Sequence, residues 1–345
     1  MITPVPPLSI PALPSSRETV AFIIPLYNEE EVFPILFREI EAYRKHHPEL
    51  VQVVFIDDGS TDGTARLLRT LTQEKSGYTM LRFSRNFGHQ LAITAGMNFV
   101  KTDAVVILDA DLQDPLYVIT EMIEKWREGY DVVYGVRKER EGETYLQRVT
   151  ARIFYRFFQR MTDVGAPLDA GDFRLLSRPV LDAYKQIHEH QPYVRGLVAW
   201  LGFNQTGVTY DRPPRAAGAS KYPWRKRMQL ALDGIASFSG RPLRYAVRLG
   251  LGVSALSFLG LLWVIIVKYG FNNTLPGWSS LIFVAFFFGG LQLFFLGIVG
   301  SYLARVYEEV KARPRYIVRE LWTSDEGQIP MSYPGQHPTE TIWNH

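Results

Sequence analysis

Two carboxylates, Asp109 and Asp111, are separated by one residue directly after a short apolar run, and together they could hold a divalent cation. A hard cation such as Mg²⁺ takes oxygen ligands, typically one or two carboxylates together with phosphates of a substrate. An acidic surface loop could contain the same pair by chance. The position of the pair after Ile107 and Leu108, where a buried strand would end, favours the metal site.

A second cluster, at residues 57–63, also follows an apolar run and could contact a nucleoside. The carboxylates of Asp57 and Asp58 can accept hydrogen bonds from a base or a ribose, and the glycines permit a tight turn. Ser60 or Thr61 could equally cap a helix that begins there. The two interpretations are compatible, so both stay open.

A third cluster, at residues 25–30, follows the first apolar run of the chain. Pro25 would stiffen the end of a strand, Tyr27 could stack on a planar base, and Glu29 could bind a hydroxyl group. Acidic residues are also favoured at helix N-termini by the helix dipole. Each cluster has a structural explanation of its own, but no single explanation covers clusters at successive strand ends. Their arrangement therefore predicts one chemical site.

The elements that position these clusters alternate between strand and helix. Short apolar runs predict strands, and stretches with helical spacing lie between them. This alternation predicts an α/β fold with a mostly parallel sheet covered on both faces, in which ligands lie beyond the carboxyl ends of the strands. The expected strands are residues 19–26, 51–56, 80–83, 104–108 and 132–134, and the expected helices include residues 32–43, 64–71 and 118–126.

The composition fits a folded protein with no nucleic-acid partner. The chain has 345 residues, a formal net charge of +3 and 21% charged residues. It contains no cysteine, which excludes a disulfide framework and thiolate metal sites. The proline-rich start lacks the basic and apolar regions of a signal peptide, so we interpret residues 1–18 as a flexible tail.

Two long apolar runs, residues 249–267 and 279–303, could each cross a bilayer, which takes about 20 apolar residues. A pair of buried core helices is the alternative. Basic residues lie outside the two runs, whereas the connecting loop has only Lys268 near a membrane end. By the positive-inside rule, this distribution predicts two transmembrane helices with both termini in the cytosol. The flanking residues are Arg241, Arg244, Arg248, Arg305, Lys311, Arg313 and Arg315.

Residues 224–238, just before the first run, mix basic and apolar side chains and predict an amphipathic helix at the membrane surface. An ordinary surface helix of the soluble domain is the alternative. Several glycines lie in or beside the two runs, and small residues let helices approach closely. We therefore also expect a homo-oligomer.

Taken together, the motifs resemble those of family-two glycosyltransferases of the GT-A fold. More narrowly, the chain resembles polyisoprenyl-phosphate glycosyltransferases, the dolichol-phosphate mannose synthase group and its bacterial relatives that glucosylate undecaprenyl phosphate. The resemblance extends from about residue 19 to 320. It rests on residues 25–29, 57–62, 84–88, 109–115, 171–176 and 215–222, in this order, and on the two apolar runs.

The resemblance implies a role for each matching position. Asp109 and Asp111 would bind Mg²⁺ or Mn²⁺, and Asp172, Asp111 and Arg174 would be catalytic. The nucleotide sugar would be bound by Pro25, Tyr27, Glu29, Asp57, Asp58, Asp109 and Gln113. The acceptor phosphate would be bound by Arg137, Arg148, Arg152, Arg215, Ser220 and Lys221, and Arg174 is a further candidate for it. The chain departs from the family at Ala216, where relatives usually carry an aromatic residue.

The resemblance further implies inverting transfer of a hexose, with glucose from UDP-glucose expected, to undecaprenyl phosphate. One alternative is the same reaction with GDP-mannose or UDP-amino-arabinose as the donor. The other is a membrane protein that binds a nucleotide sugar without turnover. A processive synthase normally shows Gln-x-x-Arg-Trp, which residues 191–196 do not match. A dinucleotide oxidoreductase would need a G-x-G-x-x-G after the first strand, and none is present.

Asp172 occupies the position of a general base, but a phosphate monoester is already an anion at neutral pH, with a second pKa near ~6. We therefore expect Asp172 to position the acceptor or to remove a residual proton. The predicted organisation is a tail at 1–18, a catalytic domain at 19–220, an interfacial segment at 221–245, transmembrane helices at 246–304 and a cytosolic tail at 305–345. The enzyme would be a multi-pass protein of the inner (plasma) membrane, a tetramer by resemblance, with its catalytic domain in the cytosol.

Overall fold

The computed structural model describes residues 18–137, 170–211, 277–324 and 327–329, together with Leu243, residues 246–250 and single positions between 252 and 266. Its centre is one sheet with the strand order β7-β5-β6-β4-β1-β2-β3-β8-β9. The strands are β1 Val20–Leu26, β2 Leu50–Asp57, β3 Tyr78–Phe83, β4 Ala104–Ile107, β5 Val132–Arg137, β6 Ala170–Ser177, β7 Gln205–Tyr210, β8 Val318–Thr323 and β9 Gly327–Ile329.

Helices connect the strands and cover the sheet. They are α1 Phe33–His46, α2 Thr64–Glu74, α3 His89–Phe99, α4 Leu116–Arg127, α5 Arg178–Lys185, α6 Val194–Trp200 and α7 Trp278–Val310. The strands and helices predicted between residues 19 and 134 are present, with ends that differ by a few residues. The α/β class is therefore confirmed.

The sheet is mixed, which corrects the expectation of a mostly parallel sheet. Within the described part of the chain, β1 pairs in parallel with β2 and β4, β2 with β3, and β5 with β7. Strand β6 runs antiparallel between β4 and β5, and β8 runs antiparallel beside β3 and β9. The antiparallel strands come from segments that the sequence analysis treated as a motif or as a tail.

Apolar side chains of the central strands alternate between two cores, because successive residues of a strand point to opposite faces. Phe22 and Ile24 pack on one face with residues of α1, α2 and α4. Ile23 packs on the other face with residues of α3, α5 and α6. Helices thus cover both faces of the central strands, and the carboxyl ends of these strands can carry polar loops.

Helix α7 is apolar and exposed over most of its length. Leu293 and Leu303 expose 70% and 65% of their area. The segment Phe287–Val310, which contains an 18-residue stretch with a mean hydropathy of 1.6, is long and apolar enough to cross a membrane. It is the single such helix among the described residues. Most of the other predicted run, 249–267, and of the segment 221–245 lies outside them.

The chain returns to the sheet after α7. Strand β8 pairs with β3, and its Leu321 is buried in the core. The helix end is attached to the same domain, because the His190 N–H donates to Glu309 Oε1 at 2.8 Å. Residues 305–345 were expected to form a cytosolic tail, and β8 and β9 lie within this range.

Candidate active site

The loops that follow β1 and β2 are joined by hydrogen bonds. The Asn28 N–H donates to Ser60 Oγ at 3.0 Å, and the Thr61 N–H donates to Asn28 Oδ1 at 2.8 Å. The Glu29 N–H donates to Thr64 Oγ1 at 3.0 Å. Asn28 adopts a positive φ of 55°, which asparagine tolerates better than most residues. Two of the sequence clusters therefore form a single structure.

The loop at residues 84–88 packs against the same structure. Asp58 accepts hydrogen bonds from the N–H groups of Phe87 at 2.7 Å and Gly88 at 2.9 Å. Gly59 has a φ of +73°, and a Cβ placed on it would lie 2.4 Å from the carbonyl carbon of Arg85. A side chain at position 59 would separate the two loops. Asp58 and Gly59 thus fix the relative position of these loops.

Asp57 is fully buried and bound by protein groups. The Ser60 N–H donates to its Oδ1 at 2.9 Å, and Arg82 Nε lies 3.1 Å from its Oδ2. Burial raises the pKa of Asp57, although Ser60 and Arg82 oppose this shift. Tyr27, by contrast, exposes 42% of its area. Of these residues, Tyr27 is open to a planar ligand, and Asp57 and Asp58 support the loops beneath it. Contact of either aspartate with a nucleoside stays a prediction.

The remaining residues assigned to the nucleotide sugar also lie at strand ends. Pro25 is buried within β1, and Glu29 is half-buried in the loop that follows. Gln113 is buried in the loop after β4. Their roles stay predictions.

The loop after β4 bends back on itself. Leu112 has a positive φ of 58°, and Asp111 Oδ1 accepts a hydrogen bond from the Gln113 N–H at 3.1 Å. Asp114 Oδ2 accepts a longer one from the Asp109 N–H at 3.4 Å. The loop therefore has the bend that two nearby carboxylates require in order to converge.

The donor atoms of this loop fit a hard cation. Asp109 Oδ1 is buried without a hydrogen-bond partner, and His89 Nε2 lies 3.5 Å from it. Burial raises the pKa of Asp109, although the charge of His89 opposes this shift. Across the described segments, no three His, Cys, Asp or Glu side chains gather into a metal cage. Asp109 and Asp111 could therefore hold an ion that takes its other ligands from substrate phosphates and water.

Asp172, on β6, is surrounded by donors. Arg195 binds both of its oxygens, with Nε 2.8 Å from Oδ1 and Nη2 3.2 Å from Oδ2. Gln90 Nε2 donates to Oδ2 at 3.1 Å, and His89 Nε2 lies 3.4 Å from the same oxygen. Burial alone would raise the pKa of Asp172, but Arg195 and His89 hold it well below its usual range. Asp172 is therefore a fixed anion that orients its neighbours.

His89 lies between the two acidic groups, at the first residue of α3. Burial lowers the pKa of His89, but the hydrogen bond with Asp172 and the charges of Asp109 and Asp172 raise it to about 9. His89 therefore links the carboxylate of Asp109 in the metal loop to that of Asp172 on β6.

Asp172 and the three side chains around it, His89, Gln90 and Arg195, form the Asp172 cluster. Sequence reasoning missed these three neighbours. His89 and Gln90 directly follow the motif at 84–88, which was a signal for them. Arg195 lies in the segment 191–196, whose sequence indicates only that the motif of a processive synthase is missing there. Its pairing with β6 could not be predicted without the fold.

The residues assigned to the acceptor phosphate are only partly described. Arg174 is buried, donates from Nη2 to the Gly171 carbonyl at 2.8 Å, and has no hydrogen-bond partner at Nε. Burial lowers the pKa of Arg174 to about 10, which leaves it charged at neutral pH. Arg137 ends β5, opposite Tyr210 of β7. The other candidates, Arg148, Arg152, Arg215, Ser220 and Lys221, lie outside the described residues, as does Ala216.

The chain is similar to known proteins over most of its length. The family model described as Glycosyl transferase family 2 matches residues 21–185. An uncharacterized glycosyltransferase of Bacillus subtilis is 44% identical, covering 92% of this chain and 97% of its own length. A bactoprenol glucosyl transferase of Shigella phage SfII is 38% identical, covering 87% and 97%. A prophage bactoprenol glucosyl transferase homolog of Escherichia coli is 36% identical, covering 88% and 99%.

Among solved structures, a mannosyltransferase from Pyrobaculum calidifontis in complex with GDP-Man and Mn²⁺ aligns with a TM-score of 0.48 and 17% identity. The alignment covers 86% of this chain and 90% of that chain. A likeness of this degree supports no statement about the site.

Proposed function

The chain belongs to glycosyl transferase family 2, and from this premise we propose that it transfers a hexose from a nucleotide sugar to a polyprenyl phosphate with inversion at the anomeric carbon. The observation that carries the proposal is the meeting of loop 109–114 with the Asp172 cluster, through His89. Relatives named bactoprenol glucosyl transferase, similar over nearly their whole length, support this acceptor class.

The donor would lie over the joined loops after β1 and β2. The exposed ring of Tyr27 offers a surface for stacking on a base. Asp57 and Asp58 would act through the loops that they fix, while Glu29 lies in the loop after β1 and Gln113 in the loop after β4. The relatives' names favour glucose, and UDP-glucose is our first choice of donor. GDP-mannose and UDP-amino-arabinose are the alternatives.

Asp109 and Asp111 would hold Mg²⁺ or Mn²⁺ beside the donor diphosphate. When bound, such an ion supplies positive charge that stabilises the leaving diphosphate. The buried Asp109 oxygen that accepts no hydrogen bond supports this assignment.

The reaction requires one substitution at carbon. An oxygen of the acceptor phosphate forms a bond to the anomeric carbon, and the bond from that carbon to the donor diphosphate breaks, so that a nucleoside diphosphate leaves. The attacking oxygen is already anionic, so little proton removal is needed. Asp172 would hold Arg195 and His89 in place. Arg195, one-third exposed, would present positive charge towards the acceptor.

Helix α7 would anchor the enzyme in the inner (plasma) membrane, together with a second helix within 249–267. We propose that both termini and the catalytic domain are cytosolic, because basic residues flank the outer ends of the apolar runs. Because the chain has no native cysteine, a single cysteine introduced by Lys221→Cys can be labelled without background. It should be labelled from outside only after the cells are permeabilised. Labelling in intact cells would overturn this orientation.

The glycines of the apolar runs support a homo-oligomer, and family resemblance favours a tetramer. Light scattering of the protein in lipid nanodiscs should give the mass of an oligomer. A monomeric mass in nanodiscs as well as in detergent would contradict this part of the proposal.

One assay tests the reaction itself. Membranes that contain the full chain would be incubated with undecaprenyl phosphate, Mg²⁺ or Mn²⁺, and radiolabelled UDP-glucose, GDP-mannose or UDP-amino-arabinose in turn. We expect label in the lipid fraction with one donor, UDP-glucose, and loss of that label with EDTA. Donor binding without transfer from any member of the panel would refute the proposal and favour a nucleotide-sugar-binding protein.

A further inference from the structure

Strand β8 supplies a carboxylate, Glu320, to a charged network that ends at the loop after β2. We propose that Glu320 is a positioning residue for the donor: it holds Arg82 against Asp57 and Ser60 and so fixes the loop over which the nucleotide binds. The inference rests on the proposed function for the location of the donor. Glu320 lies outside residues 21–185, which the family model matches.

Glu320 is bound by two arginines from different elements. Arg69 of α2 donates from Nε to Oε2 and from Nη2 to Oε1, both at 2.8 Å. Arg82 of β3 donates from Nη1 to Oε1 at 3.2 Å. The Glu320 side chain is only 12% exposed, so solvent screens these contacts weakly. A single carboxylate thus holds two cations that would otherwise repel each other.

The same Arg82 guanidinium continues to the strand end. Its Nε lies 3.1 Å from Asp57 Oδ2, and its Nη2 donates to the Ser60 carbonyl at 3.3 Å. Asp57 is fully buried, so loss of a fixed cation beside it would leave a buried charge poorly compensated. Arg82 therefore stabilises the buried carboxylate and the turn that follows it.

The turn at Ser60 connects the contacts of Arg82 to the exposed surface of the site. Ser60 Oγ accepts the hydrogen bond from the Asn28 N–H, and Asn28 directly follows Tyr27. Glu320, Arg82, Ser60 and Asn28 thus form a continuous series of contacts from β8 to the residue beside the exposed ring. Replacing Glu320 by glutamine keeps the shape of the side chain but leaves Arg69 and Arg82 without a shared anion. We expect Arg82 to shift and the donor loop to loosen.

The experiment compares full-length enzyme with Glu320→Gln and a matched control, Glu41→Gln. Glu41 also accepts hydrogen bonds from two side chains, Lys75 and Tyr78, but Tyr78 begins β3, at the strand end opposite to Arg82. Steady-state transfer rates would be measured against donor and lipid acceptor separately. Calorimetry would measure binding of the nucleoside diphosphate that belongs to the active donor.

We expect Glu320→Gln to raise the donor KM and the nucleoside diphosphate Kd about tenfold, as for loss of one charged hydrogen bond. The kcat and the acceptor KM should stay within about twofold, since the reacting groups are untouched. Glu41→Gln should leave all of these values unchanged even if it lowers the melting temperature. Glu320→Asp, which keeps the charge, should restore most of the donor affinity.

If Glu320→Gln and Glu41→Gln have the same donor KM and the same nucleoside diphosphate Kd, the inference is overturned. If Glu320→Gln does not fold, Arg82→Lys carries the test, because lysine keeps the charge but cannot reach Glu320, Asp57 and Ser60 together. Unchanged donor affinity in a folded Arg82→Lys enzyme would then refute the role of the network. Absence of transfer by the wild-type enzyme with every donor would instead refute the proposed function.

Discussion

Replacement of Asp172 by Asn, or of Arg195 by Gln, should have nearly the same effect on turnover, because the two side chains act as a unit. Arg195 binds both oxygens of Asp172, at 2.8 and 3.2 Å. Removing one partner of a buried, hydrogen-bonded charge pair in a binding site costs about 2–5 kcal/mol of binding free energy, and the one-third exposure of Arg195 places the loss near about 2–3 kcal/mol. At 1.36 kcal/mol per factor of ten, that corresponds to about 30- to 150-fold in kcat/KM.

The assay is a double-mutant cycle on lipid-linked sugar formation, with wild type, Asp172→Asn, Arg195→Gln and the double variant. Each single variant should lose about 30- to 150-fold in kcat/KM for the acceptor. The double variant should lose little more than the worse single variant, because residues in direct contact do not contribute independently. The matched control is Ser177→Ala, which removes a hydrogen bond to Asp131 at the other end of β6 and should leave turnover unchanged.

A different pattern would refute this reasoning. If Asp172 worked as a general base, Asp172→Asn would abolish transfer while Arg195→Gln kept most of it. The pH dependence of kcat would also lose a limb in Asp172→Asn alone. Additive losses in the double variant would show that Arg195 and Asp172 act separately. Melting curves of all four proteins would separate loss of fold from loss of function.

Three further predictions concern the metal, the loops and the C-terminal strand. Asp111→Asn should abolish transfer with Mg²⁺ or Mn²⁺ while the melting curve stays unchanged, since Asp111 would be an ion ligand; activity near wild type would contradict the metal site. Gly59→Ala should cost about 1–2 kcal/mol for its positive φ and more for the approach to Arg85, measured by unfolding and by nucleotide binding. Gly129→Ala, with a φ of +102° and open space around it, should cost only the strain, and equal losses would contradict the loop contact. Burial alone would raise the pKa of Glu320, but hydrogen bonds from Trp322 and Arg69 and the nearby arginines lower it below the usual value for glutamate. The stability that Glu320 supplies should therefore be present at neutral pH and be lost as the pH falls through this lowered pKa, so that melting curves of wild type and Glu320→Gln converge in acid.

The central strands and the clusters at their ends could be predicted because both are local in the sequence. β1, β2 and β4 each contain a run of apolar residues, and polar residues follow within two positions of each run. The parallel order of these strands brings the clusters to one edge, as the alternation of strand and helix predicted. The structure therefore agrees with the sequence wherever the decisive pattern lies within one short segment.

The antiparallel strands and the Asp172 cluster could not be predicted in the same way. β6 lies in a stretch interpreted as a catalytic motif, and nothing in its composition gives its direction between β4 and β5. Arg195 reaches Asp172 from α6, and Glu320 reaches Arg82 from β8. Such contacts depend on the arrangement of whole elements, which a single sequence does not reveal.

The return of the chain to the edge of β3 has a consequence for how the protein is made. Arg82 and Glu320 are 238 residues apart, so at ~5–20 residues per second a ribosome needs about 12–48 s to supply the partner of β3. During that time β3 exposes the unpaired N–H and C=O groups of an edge strand, which invite pairing with other chains. Strand β8 can pair with β3 only after α7 has been synthesised. The edge of β3 is therefore covered late in synthesis, by a strand that follows α7 in the sequence.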